Sequence, residues 1–380
     1  IRGVSYRPSD LRDNLSNNSV VLLRANNIQN GKIVLDDVIY VSKSKVSQSQ
    51  YLRRGDILVC TSSGSKKLVG KAAFVDEDLP MVFGAFCKVV RPKIECCKYI
   101  GHFFQSPYYR NHISAASAGA NINNLRNEHI ADLHIPLPPL DEQREIAAVL
   151  DQVSDLIAKR RQQLDKLDEM VKARFLEMFG DPIDNNRGWP TQTLDSVCKS
   201  IVDCPHSTPS YTSVNTGYMC IRTSIVKKNC ILWDKIEYIP EQEYYQRIQR
   251  KKPEKGDIVY TREGAILGIA AMIDRDCNVA LGQRSMLLSP DTTKCSPQFL
   301  SSAMNFDSFL RKALRGVSGS ASPHINVGDI KVFSIIIPPL SLQQQFSDFV
   351  VQTEKTKTTV NRSLAKLETL KKALMQEYFG

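Results

Sequence analysis

Residues 135–150 read IPLPPLDEQREIAAVL and residues 335–350 read IIIPPLSLQQQFSDFV. Each apolar run ends in Pro-Pro-Leu, opens a long helical pattern, and reaches a Phe-Gly pair at Phe179-Gly180 and at Phe379-Gly380. Proline disfavours helix in the residue before it, so each hinge makes the chain leave a globular unit before a helix starts. The likeness continues upstream. NGKIVLDDVIYVS (30–42) matches KNCILWDKIEYIP (228–240), RRGDILVCTSSG (53–64) matches EKGDIVYTREG (254–264), and MVFGAFCKVVRP (81–92) matches VALGQRSMLLSP (279–290). YYRNHISAASAGA (108–120) likewise matches FLRKALRGVSGSA (309–321). A repeat of this kind fixes architecture before any residue-level argument. Apolar positions and glycines agree between the copies while the loops differ, which suits two versions of one task. The segment 181–200 has no counterpart ahead of Ile1, so the first unit is expected to lack its opening segment.

The expected boundaries are 1–140 for a first globular unit, 141–180 for a central heptad helix, 181–340 for a second unit and 341–380 for a C-terminal heptad helix. Within each unit, short β-rich runs follow the Gly-Asp turns at 55–56 and 256–257, and helical segments lie around 98–113 and 297–314. The fold class is therefore mixed α/β.

The helical seam runs through Ile146, Leu150, Val153, Ile157, Arg160, Leu164, Leu167, Val171, Arg174 and Met178. Its counterpart runs through Phe346, Val350, Thr353, Lys357, Val360, Leu364, Leu367, Lys371, Leu374 and Tyr378. Alternating spacings of 4 and 3 over more than four heptads mark a coiled coil. At 1.5 Å per residue, about 38 residues make a rod of about 57 Å. Isolated helices are marginal in water, so the two are expected to pack on each other. A pseudo-twofold relation between the halves makes that pair antiparallel, with the globular units at opposite ends.

Catalytic signatures are absent. Gly64–Lys71 (GSKKLVGK) has five residues between its glycines and Ala72 after the lysine, which does not fit a phosphate loop. No dinucleotide or methyl-donor fingerprint, Gly-x-Ser-x-Gly elbow or His-Glu-x-x-His motif occurs. Ten cysteines include no C-x-x-C. Cys198, Cys204 and His206 are the nearest approach to a metal cluster, and reduced thiols in the cytoplasm are the expected reading. No apolar run reaches 18 residues, so no membrane partner is expected.

The formal charge of +10 suits a polyanion. Double-stranded DNA would take its affinity from phosphate contacts and its specificity from base edges. In the first unit the candidate contacts are Tyr6, Arg7, Thr61, Ser62, Ser63, Lys66, Lys67, Asn121 and Asn123. In the second they are Tyr211, Arg222, Thr223, Arg262, Gln283, Arg284, Ser320 and His324. Arg262 and Arg284 have the chemistry to pair bidentately with guanine, and Gln283 with adenine.

Taken together, the two units, the Ile/Leu-Pro-Pro-Leu hinges, EQREIAAVLD (142–151) and the heptad helices ending in Phe-Gly resemble the specificity subunits of type I restriction–modification systems. IVDCPHSTP (201–209) is similar to the family's opening element of a recognition unit, whereas IRGVSYRPS (1–9) lacks its Pro-His. SLQQQF (341–346) departs from the family's Glu-Gln. The resemblance implies two target-recognition domains, each reading half of a bipartite DNA site. It also implies helices that set the spacing and dock two modification (methyltransferase) subunits, with restriction subunits joining through the complex. S-adenosylmethionine, ATP and magnesium would belong to those partners, and no cofactor to this chain. The alternatives are a recognition subunit for a fused nuclease–methylase, a stand-alone two-headed DNA-binding regulator, and a portion of a fused enzyme.

Overall fold

A computed structural model describes residues 1–65, 67–118, 124–315 and 323–380. The chain divides into two compact units. One comprises Ile1–Gln162 with Val360–Gly380, the other Gln163–Thr359. The helices are thus shared out rather than standing as bodies of their own: each gives one half to each unit.

In the first unit, strand Ile57–Cys60 lies between Ala72–Phe74 and Cys87–Val90, antiparallel to both, with Ile57 opposite Phe74 on one side and Val90 on the other. A second sheet places Ser19–Leu23 between Ile39–Ser42, antiparallel, and Met81–Phe83, parallel. The second unit repeats both. Ile258–Thr261 pairs with Ala270–Met272 and Ser285–Pro290, setting Ile258 opposite Met272 and Leu288. Met219–Ile221 lies between Glu237–Tyr238, antiparallel, and Val279–Leu281, parallel. One further strand, Cys198–Asp203, extends the second unit's larger sheet along Ser285–Pro290.

The Gly-Asp pairs explain how each central strand begins. Gly55 and Gly256 have φ of 89° and 93°, a left-handed conformation that glycine adopts without steric cost. The following aspartates cap the turn: Asp56 accepts the Arg53 N–H at 2.8 Å and Asp257 the Glu254 N–H at 2.9 Å. Both carboxylates are buried. Arg91 neutralises Asp56 through two 2.7 Å bonds. Asp257 has its cation, Lys251, farther off at 3.9 Å, and desolvation raises its pKa.

The proline hinges are built alike. The central helix spans Leu140–Phe179 and the C-terminal helix Leu340–Phe379. Gln143 and Gln343, each buried in the first turn, donate to the Pro138 and Pro338 carbonyls at 2.8 Å. A glutamine therefore ties each helix start to the Pro-Pro hinge just before it. The departure seen in SLQQQF leaves this device intact, because Gln343 occupies the place of Gln143.

In the first unit, Ile146, Ala147 and Leu150 from the start of the central helix share a core with Met375 and Phe379 from the end of the C-terminal helix. In the second unit, Phe175 and Phe179 from the end of the central helix join Phe346 and Val350 from the start of the other. Start meets end in both, so the helices run antiparallel, as expected. Phe175 lies 5.5 Å from Phe346 between ring centroids and stacks on Phe299 at 5.6 Å. Cross-helix ion pairs flank the seam: Arg161 with Glu368 at 2.7 Å in the first unit, Lys357 with Asp168 at 2.8 Å in the second.

Seam positions Ile146, Leu150, Val153, Ile157, Phe346, Val350 and Val360 are buried, while Leu164, Leu167, Val171, Leu364, Leu367 and Leu374 are half-buried. At the far ends the buried residues are Phe175, Phe179, Met375 and Phe379. These sit one position beyond Arg174, Met178, Leu374 and Tyr378, which the heptad selected. The shift has a geometric cause: a helix of 3.6 residues per turn drifts off a 3.5-residue seam, and these ends pack on a globular core.

Candidate nucleic-acid interface

In the second unit the loops after the strands converge. Arg262 follows Ile258–Thr261, and its backbone N–H donates to the Arg284 carbonyl at 3.1 Å. Gly282 donates to the Ile221 carbonyl at 2.9 Å, which brings Gln283 and Arg284 beside Arg222. A Cβ on Gly282 would meet the Tyr211 hydroxyl at 2.7 Å and the Ile221 carbonyl at 3.0 Å, so this close approach requires glycine. Thr208 donates to Gln283 at 3.2 Å, and Glu263 bridges His324. Tyr211, Arg222, Gln283, Arg284 and His324 therefore form one continuous cluster.

Within it the two arginines singled out for guanine differ. Arg262 is buried, and its Nε and Nη2 bond Asp203 at 2.8 and 2.9 Å. Asp203 also meets His206 at 3.1 Å. Arg262 thus locks two strands' ends together, with its guanidinium engaged by Asp203 rather than facing solvent. Arg284 is about half exposed, has φ of 71°, and approaches Glu263 at 4.0 Å. Arg222 is exposed, pairs with Glu237 and lies over the Tyr211 ring at 4.5 Å. Both neighbours hold its guanidinium plane in one orientation. Burial pushes the Tyr211 phenol's pKa up, so it stays a neutral donor. Thr223 is half-buried at the start of a short 3-10 turn. The Ser207 segment is fixed from below by buried Arg247, which donates to the Ser207 carbonyl at 2.8 Å.

The first unit carries the same frame with other side chains. Thr61 donates through its N–H to the Phe86 carbonyl at 2.8 Å, matching the Arg262–Arg284 bond, and Gly84 donates to Leu23 at 2.9 Å, matching Gly282–Ile221. Ser62 bridges Asn124 as Glu263 bridges His324. Thr61 is buried with its hydroxyl on the Phe86 carbonyl at 3.1 Å, so it positions the loop. Tyr6 packs with Val4, Val20, Leu22, Val41 and Val82. Arg7 and Lys67 are exposed, while Ser62 and Ser63 are half-buried. Lys66, Asn121, Asn123 and Ser320 lie outside the described residues.

Two residues escaped the sequence reading. Arg24, which bonds Asp37 at 2.8 Å, sits at the end of Ser19–Leu23 where Arg222 ends Met219–Ile221. Phe86, 70% exposed, stands where Arg284 stands. Aligning LLRANNI (22–28) with CIRTSIV (220–226), and GAF (84–86) with GQR (282–284), brings out both.

Among the described residues, no group of three or more His, Cys, Asp and Glu is placed to hold a metal ion. Cys204 is buried and its sulfur takes the Ser285 N–H, apart from His206, whose ring bonds Asp203. All ten cysteines are free thiols. Among the described residues, no helix is long and apolar enough to cross a membrane.

The chain is similar to the EcoKI specificity subunit of Escherichia coli K12 and to the StySPI specificity subunit of Salmonella potsdam. Each is 29% identical over 409 residues, covering 100% of this chain and 86% of the relative. Its fold matches a crystal structure of a type I restriction–modification S subunit from M. genitalium, with a TM-score of 0.56 at 13% identity over 100% of this chain and 93% of that one. It also matches a chain from a study of type I R-M complex assembly and conformational transition, with a TM-score of 0.52 at 20% identity over 100% and 96%. The model of the type I restriction modification DNA specificity domain matches twice, over residues 6–168 and 186–369. The repeat noticed in the proline hinges is thus a repeat of specificity domains, and the chain belongs to the family of type I restriction–modification DNA specificity subunits.

Proposed function

We propose that each unit reads one half of a bipartite duplex site, that the paired helices set the distance between the halves, and that two methyltransferase subunits dock on the chain, with restriction subunits joining through them. The chemistry then resides in those partners, together with the methyl donor, ATP and magnesium, and the chain works in the cytoplasm as a non-catalytic reader. One observation carries this reading: the same backbone frame presents Ser62, Phe86 and Asn124 in one unit and Glu263, Arg284 and His324 in the other. Equal scaffolds with unequal side chains suit two different base sequences, since phosphate contacts position a reader while side chains at base edges specify.

Exchanging residues 181–340 for the matching unit of a relative tests it. Methylome sequencing of cells carrying the exchanged chain and its partners should show one half-site changed and the other intact. A change in both halves would overturn the assignment of one unit to one half-site.

A further inference from the structure

Phe86 and Arg284 occupy the same place in the repeated frame, and their chemistries are opposite. The Phe86 carbonyl accepts three donors: the Thr61 N–H at 2.8 Å, the Ser62 N–H at 3.1 Å and the Thr61 hydroxyl at 3.1 Å. On its flanks, Gly84 is tied to Leu23 at 2.9 Å and Cys87 closes a turn onto Gly84 at 2.9 Å. The backbone of this tip is fixed, yet the ring it bears is 70% exposed, the most exposed of the chain's large apolar side chains among the described residues. A phenyl ring has no donor or acceptor for a base edge. The apolar group that the major groove offers is the 5-methyl of thymine, and Phe is among the side chains suited to it. Arg284, with its guanidinium about half exposed, is suited to guanine at the same place in the other unit.

We infer that Phe86 is a specificity-determining residue that reads a thymine methyl in the half-site of the first unit. This rests on the reading that each unit contacts its own half-site. The bonded carbonyl fixes the backbone from which the ring projects before DNA arrives, so the contact orders only the ring's own torsions.

The test uses the full chain assembled with its partner subunits and duplexes carrying its own site. Each thymine of the first half-site, on either strand, is replaced in turn by uracil, which removes only the methyl. The expected result is a loss of about three- to tenfold in affinity at one position, the range for burying one methyl group in a close contact. Phe86→Ala should lose a similar factor on thymine DNA and become indifferent to uracil there. Phe86→Leu should keep part of both the affinity and the methyl dependence. The thermal midpoint of the alanine variant should match that of the parent chain.

Wild-type binding unaffected by uracil at every position would overturn the inference, as would an alanine variant that stays equally sensitive to uracil. A uniform loss on all sequences, the mark of a wedge or backbone contact, would overturn it too. Arg284→Ala keeps the two levels separate: its effect should fall on the second half-site alone. If it does and the uracil scan is silent, the methyl contact is wrong while half-site reading stands. The same scan carried across the second half-site completes the test: a uracil effect there that Phe86→Ala abolishes would overturn both.

Discussion

Arg262 and Arg284 are alike in sequence, both following a strand and both in polar loops, and the fold assigns them different work. What separates them is Asp203, 59 residues from Arg262, whose carboxylate takes two of its donors. No local pattern announces such a partner, so the sequence could nominate the loop but not the side chain within it. Arg262→Ala should leave the poorly exposed Asp203 carboxylate without its cation and lower the unfolding free energy by about 3 kcal/mol in urea titrations. Its effect on DNA should be a general weakening at the second half-site. Arg262→Lys should not restore stability, because a lysine cannot form the paired contact. Arg284→Ala should stay within about 0.5 kcal/mol of the parent chain, as expected of an exposed side chain, while relaxing choice at one base pair. An unchanged urea midpoint for Arg262→Ala would show that the pair is not structural. Arg24 and Phe86 were legible in principle, since the repeat aligns them with Arg222 and Arg284, but only a register for the loops makes them visible.

The helices were readable as elements because a heptad persists whatever lies around it. Their ends were not, because the wall that buries them comes from elsewhere in the chain: Phe299 and Phe306 stack on Phe175, and Tyr99 and Phe103 meet Phe379. Packing on a globular core moves the buried face by one residue. Phe175→Ala should therefore cost about 3–5 kcal/mol, as for other large buried aromatics. Leu167→Ala, on the half-buried middle of the seam, should cost about 1–2 kcal/mol, less than the full range for a buried leucine. Chemical denaturation of both variants checks the order. Equal losses would mean that the seam, rather than the domain core, anchors the helix. The hinge glutamines extend the same lesson, since Gln343 does the work of Gln143 although the surrounding letters differ.

For the whole molecule, the +10 charge and the exposed Arg7, Lys67, Arg222 and Arg284 lead to an expectation about salt. The logarithm of the DNA association constant of the assembled complex should fall linearly and steeply with the logarithm of salt concentration, because bound phosphates release counterions. A flat dependence, measured by fluorescence anisotropy across a salt series, would count against phosphate contacts. The division of the chain has a consequence of another kind. The second unit is contiguous, Gln163–Thr359, whereas the first needs Val360–Gly380 to close its core around Met375 and Phe379. Domains made on the ribosome usually mature from the N-terminus onward. Here the order is expected to differ: the first unit's core around Ile146 and Leu150 is completed only once Met375 and Phe379 have been made, after the whole of the second unit. Residues 360–380 therefore supply the last piece of the first unit's core, and a chain cut short before them would leave that apolar wall uncovered.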